Sequence, residues 1–109
     1  SLSAPTMVRE VSGNAVRAFE WTVEEFGLGE VSLTELIAAD AAESAAMIER
    51  VLNGHDGPAT RMVLANAAAA LLVAETARTP AQGVALARDA IASGRARKVL
   101  DNLRMMARI

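Results

Sequence analysis

A chain of 109 residues, 52% of them apolar and with a formal net charge of −2, has room for one domain or part of one around a modest core, and its composition does not indicate intrinsic disorder. It contains no cysteine, which excludes a disulfide framework and a thiolate metal site and fits a reducing, cytoplasmic setting. The longest apolar run, Ala67 to Ala74, is far too short for a membrane span, and Ser1 to Arg9 lacks the basic start and apolar stretch of a signal peptide.

Aromatics make up only 3% and alanine supplies much of the apolar content, a balance that favours closely packed helices over thick sheets. The first strands are expected at Thr6–Val11 and Val16–Trp21, where β-branched and aromatic residues concentrate. Gly13-Asn14 between them suits the positive φ angles of a two-residue hairpin turn. Two strands alone are marginal in water and need a larger sheet or covering helices. From residue 22 to 38 the pattern predicts short helical turns. Thr22 with Glu25, and Ser32 with Glu35, both have capping-box spacing.

Four longer helices follow. The first is predicted over 41–53, with Asp40 at its cap and Asn53-Gly54 as its stop. Met47, Ile48, Val51 and Leu52 share one face of it, and Glu43, Glu49 and Arg50 point away. The second spans 58–77 and opens on Pro58. Between Met62 and Ala74 it is apolar on every side except at Asn66. Such a helix is normally buried all round, but 109 residues have little material to surround it, so an exposed apolar patch is expected there unless another copy or a second polypeptide covers it. The third, 80–93, starts on Thr79-Pro80 with Gln82 in the boxed position and stops at Ser93-Gly94. The fourth, 95–107, places Val99, Leu100, Leu103 and Met106 on one face. The fold class is therefore mainly α with a short β-hairpin or strand pair.

The chemical inventory is thin. His55, the only histidine, stands beside Asp56, a candidate acid–base pair. The two are adjacent in a Gly-Gly-Pro loop, where an exposed turn needs such residues anyway. Neither G-x-G-x-x-G nor G-x-x-x-x-G-K-[ST] is present, and Gly27-Leu28-Gly29 is too short to cradle a phosphate. Glu24-Glu25 is a candidate Mg²⁺ pair, but a helix first turn explains it more simply. Asn66 is expected to be a buried, structural amide bonded to nearby backbone, and Trp21 a packing residue. Charge is uneven. Residues 1–54 hold nine acids and three arginines, a net of −6; residues 55–109 hold four acids and eight bases, a net of +4. Arg95, Arg97, Lys98, Arg104 and Arg108 make the tail basic without interleaved aromatics, which suits a solvated helix face better than a nucleic-acid platform.

Several segments, taken in order, resemble the anthranilate phosphoribosyltransferase family. Ser1-Leu2-Ser3-Ala4-Pro5-Thr6 is similar to that family's Ser-Leu-Thr-Gly-Pro-Thr, departing at Ser3 and Ala4. Phe26-Gly27-Leu28, the helix start Asp40 to Ala46, Val51-Leu52-Asn53-Gly54, Gly57-Pro58, Leu64 to Leu71, Gly83-Val84 and Ala87 to Gly94 continue the likeness over nearly the whole chain. The resemblance implies residues 1–109 as the C-terminal segment of the family's larger α/β domain, with residues 6–21 joining a mixed central sheet. It implies transfer of the phosphoribosyl group of phosphoribosyl pyrophosphate to anthranilate, with Mg²⁺, in tryptophan biosynthesis, by a homodimeric glycosyltransferase. The family's phosphate loop, its anthranilate-binding arginine and its metal-binding Asp-Glu pair would lie upstream of Ser1. No catalytic, substrate-binding or metal residue of this chain is therefore assigned, and the 109 residues alone are expected to be inactive scaffold. They would self-associate or pack on the missing part. The alternatives are a same-scaffold relative that binds nucleic acid through the basic half, and a free-standing helical interaction module.

Overall fold

The computed structural model describes residues 1–108. An antiparallel hairpin, β1 (Thr6–Ser12) and β2 (Ala15–Trp21), precedes a one-turn helix α1 (Val23–Phe26) and a 3₁₀ turn (Leu33–Leu36). Four helices follow: α2 (Ala41–Leu52), α3 (Pro58–Val73), α4 (Pro80–Ala92) and α5 (Arg95–Ala107). The molecule is mainly helical with one two-stranded sheet, as the composition leads one to expect.

The hairpin pairs Thr6 with Trp21 and Ser12 with Ala15, so each strand runs one residue further toward the turn than its β-branched run suggests. Gly13 takes the positive φ, 57°, that the tight turn requires, and Asn14 does not. The sheet ends there: no third strand pairs with either edge among the described residues. Its base is tied to the body by Trp21, whose ring meets Phe26 edge-on at 5.6 Å and Phe19 at 5.7 Å. Trp21 is thus a packing residue.

Local chemistry sets the helix ends. The Thr22 N–H donates to Glu25 Oε2 (2.6 Å) and the Ser32 N–H to Glu35 Oε2 (3.1 Å). Asp40 Oδ1 caps α2 by accepting from the Glu43 N–H (2.8 Å), and Thr79 Oγ1 caps α4 by accepting from the Gln82 N–H (3.1 Å). After α2, Gly54 sits at φ 79°, with its N–H on Val51 O and the His55 N–H on Arg50 O, a Schellman stop. α3 ends the same way but earlier than its apolar run predicts, at Val73 rather than Ala77. Here Glu75 adopts φ 58°, and the Glu75 and Thr76 N–H groups close onto Leu72 O and Leu71 O. Nothing in the sequence marks this stop, because a glutamate stands where glycine is usual.

The core lies where α3 and α4 cross beneath the N-terminal segment. Leu64, Ala65 and Ala68 of α3 meet Val84 and Ala87 of α4, and Leu2, Phe26, Leu28 and Val31 close the top. Gly83 makes the crossing tight: a Cβ there would lie 2.8 Å from both Cα and Cβ of Ala68. α3 is not buried all round, as expected of so apolar a helix in so short a chain. Val63 is 45% exposed and Val73 86%, because the described residues cover only one side of the helix. The apolar face of α5 is likewise open, with Val99, Leu103 and Met106 all exposed.

Candidate functional site

The N-terminal segment is held more firmly than its position suggests. Leu2 is fully buried, and its carbonyl accepts from the Val31 N–H at 3.2 Å. Burial of a leucine side chain stabilises by about 2 kcal/mol, so this one residue pins Ser1–Thr6 onto the core. Beside it lies a recess of about 70 Å³ lined by Ser1, Thr6, Trp21, Phe26, Ala65, Asn66 and Ala69, room for little more than a water or two. A shallower hollow between Ser3 and the 3₁₀ turn, along Glu30–Leu33, is open to solvent.

The residues singled out from the sequence do not converge. His55 is exposed, and its main chain is occupied: the carbonyl accepts from Thr60 Oγ1 at 2.6 Å. The Asp56 carboxylate accepts from the Gly57 N–H at 2.9 Å and lies 3.7 Å from Arg61 Nε. No hydrogen bond joins His55 to Asp56 among the described residues, so the pair serves the α2–α3 turn. Glu24 and Glu25 stand in the first turn of α1, where Glu25 closes the capping box. Among the described residues no three His, Asp or Glu side chains are grouped closely enough to hold a metal ion. Glu24 and Glu25 therefore do not fit a Mg²⁺ site. Asn66 is exposed rather than buried. Its Nδ2 donates to Met62 O at 2.9 Å, one turn back on its own helix, so the amide is structural but local.

One polar cluster does converge, and the sequence does not announce it. Glu49 of α2, expected to point away, accepts from Arg104 Nη2 (2.6 Å) and Arg97 Nη1 (2.5 Å) of α5, and Arg97 Nη2 donates to Asn53 Oδ1 (2.7 Å). The hydrogen bond from Arg104 and then that from Arg97 hold the Glu49 carboxyl below its ordinary range, and Glu49 raises Arg104 in return. Arg95 is paired with Asp89 at 2.7 Å. Three of the five basic tail residues are thus bound to acids, which leaves a poor phosphate-tracking surface and disfavours the nucleic-acid alternative. Only partners 44 to 55 residues apart in sequence make the Glu49 cluster, a range over which charge pattern alone carries no signal.

Residues 1–97 match the glycosyl transferase family, a/b domain. The chain belongs to that family. Over 103 residues, 94% of its length, it is 44% identical to an anthranilate phosphoribosyltransferase of Thioalkalivibrio sulfidiphilus. Over 93% of its length it is 46% identical to the enzyme of the same name from Dechloromonas aromatica and 43% identical to that of Xylella fastidiosa. The chain spans about 30% of the length of these relatives. As a glycosyl transferase α/β segment it carries strands and helices of the family domain, and the resemblance that begins at Ser1 extends through the core just described. No helix among the described residues is long and apolar enough to cross a membrane.

Proposed function

We propose that these 109 residues are the C-terminal part of an anthranilate phosphoribosyltransferase. The whole protein would join the phosphoribosyl group of phosphoribosyl pyrophosphate to the amino group of anthranilate, releasing pyrophosphate, as a cytoplasmic step of tryptophan biosynthesis. The observation that carries this is sequence identity of 41–46% to enzymes of that name along more than nine-tenths of the chain. On this reading the phosphate loop, the anthranilate contact and the carboxylates for Mg²⁺ belong to residues preceding Ser1, and so does the homodimer contact. Bound Mg²⁺ would offset charge on the departing pyrophosphate. The part played by this chain is mechanical. Leu2, Phe26, Val31 and Leu64 hold the Ser1–Thr6 segment against the α3–α4 crossing, and so fix the direction from which the preceding residues enter the domain. Reaction rates depend steeply on such placement, since a misplacement of about 1 Å costs on the order of 100-fold.

The test is a Mg²⁺-dependent assay of anthranilate consumption by the intact polypeptide in the presence of phosphoribosyl pyrophosphate. Loss of anthranilate with equimolar pyrophosphate release is expected. An intact, folded polypeptide that leaves anthranilate untouched while transferring phosphoribosyl to another nitrogen nucleophile would move the reading to a different glycosyl transferase of the family.

A further inference from the structure

Helix α5 is attached differently from the other helices. α1, α2, α3 and α4 each bury at least one side chain, whereas α5 buries none. Its contact face is only half-buried, at Ala96, Arg97 and Leu100, and its apolar stripe of Val99, Leu103 and Met106 faces away from the core. The side-chain bonds that cross from α5 to α2 are polar, and two of the three are ion pairs. Arg97 and Arg104 stand two turns apart and close on one carboxylate, Glu49, each taking a different oxygen. Arg97 adds its second nitrogen to Asn53. Asp101, on α5 itself, lies 3.5 Å from Arg104 and offers that arginine a substitute partner when the helix moves. The Arg95–Asp89 pair sits at the α4–α5 turn and joins residues that the chain keeps close in any case. Gly94, at φ 79°, is the junction about which α5 departs from α4.

We infer that α5 is an ionically latched arm, held closed on α2 chiefly by Glu49 and released by rising ionic strength while the α3–α4 core stays shut. A single carboxylate receives both arginines, so screening or removing one charge undoes two attachments together. Partly exposed ion pairs weaken as the screening length falls from about 10 Å at 0.1 M salt to about 3 Å at 1 M. Apolar packing such as that of Leu64 against Val84 has no such dependence. Local opening then follows the element with least buried apolar contact. The inference rests on the geometry of this cluster and stands whether or not the catalytic reading holds.

Hydrogen exchange of the intact polypeptide, read by mass spectrometry at about 50 mM and about 1 M NaCl, tests it. Exchange across residues 98–107 is expected to accelerate about three- to tenfold in high salt, with residues 64–71 unmoved. Glu49→Gln is expected to give the same acceleration at low salt, after which added salt changes α5 little. The latch is overturned if α5 exchanges as slowly as α3 at both salt concentrations, or if Glu49→Gln speeds both helices equally. Should the variant not fold, the salt series on the unaltered protein decides alone: an α5 indifferent to salt refutes the inference.

Discussion

Gly83 shows how much one missing atom can decide. α3 and α4 cross with the backbone of Ala68 in contact with Gly83, and any Cβ at that position would stand 2.8 Å from Ala68 Cα and Cβ and 3.0 Å from its carbonyl oxygen. Those are backbone atoms and a short methyl, so no flexible side chain can swing aside. Gly83→Ala recovers about 1 kcal/mol of helix propensity but forces the crossing apart at a cost of about 1–3 kcal/mol. A net loss of stability is expected in thermal or urea unfolding; an unchanged or raised midpoint would show that the helices separate freely. The sequence shows Gly83 as part of the family resemblance, but its physical reason is visible only once Ala68 is seen opposite. Leu2 is similar: a leucine at the edge of the chain carries no periodic signal, yet it is one of the three largest fully buried side chains. Asn66 is the reverse case. It looked buried because its neighbours are apolar, but it faces outward, since only one side of α3 is covered.

At the level of elements, caps and stops with a dedicated residue were legible in advance. Asp40, Thr79, Gly54 and Gly94 mark boundaries because each supplies an oxygen or a left-handed φ that few residues offer. The end of α3 was not legible, since Glu75 adopts φ 58° without being glycine. Glu75→Gly removes that strain while keeping the Schellman bonds, and is expected to raise unfolding stability by about 0.5–1 kcal/mol. A loss of stability instead would mean that the Glu75 side chain holds the turn by contacts of its own. The docking of α5 was illegible for another reason, since the charges that clasp it are distant in sequence. Its pH response follows from the Glu49 carboxyl, which Arg104 and Arg97 hold below its ordinary value. A group with a lowered folded pKa contributes stability above its unfolded pKa, and that contribution is lost as pH falls through the folded value. α5 protection is therefore expected to hold at neutral pH and decline in acid, and Glu49→Gln to flatten that decline. An acid profile identical in the variant would assign the decline to other carboxylates.

Across the whole molecule, much apolar surface lies uncovered. The radius of gyration is 15.3 Å, against about 13 Å for a compact chain of this length. Both outer edges of the hairpin are unpaired among the described residues, and Met7, Val11 and Val16 lie exposed along it. Val63 and Val73 on α3 add to that surface. Open strand edges and broad apolar patches invite association. Residues 1–109 alone are expected to sediment as concentration-dependent oligomers, and a monodisperse monomer across a hundredfold range would favour a free-standing module. The mainly helical class and the family were readable in the sequence, because helix periodicity and the Leu64–Leu71 and Ala87–Gly94 segments are local. The extent of exposed surface was readable only as a conflict, an all-apolar helix in a chain too short to surround it. The central claim, that this segment is scaffold for a phosphoribosyl transfer performed with residues outside it, is tested most directly by one paired assay. Mg²⁺-dependent consumption of anthranilate and phosphoribosyl pyrophosphate is measured for residues 1–109 alone and for the intact polypeptide at equal concentration. Turnover by the intact polypeptide and none by residues 1–109 is predicted; turnover by residues 1–109 alone would contradict the account.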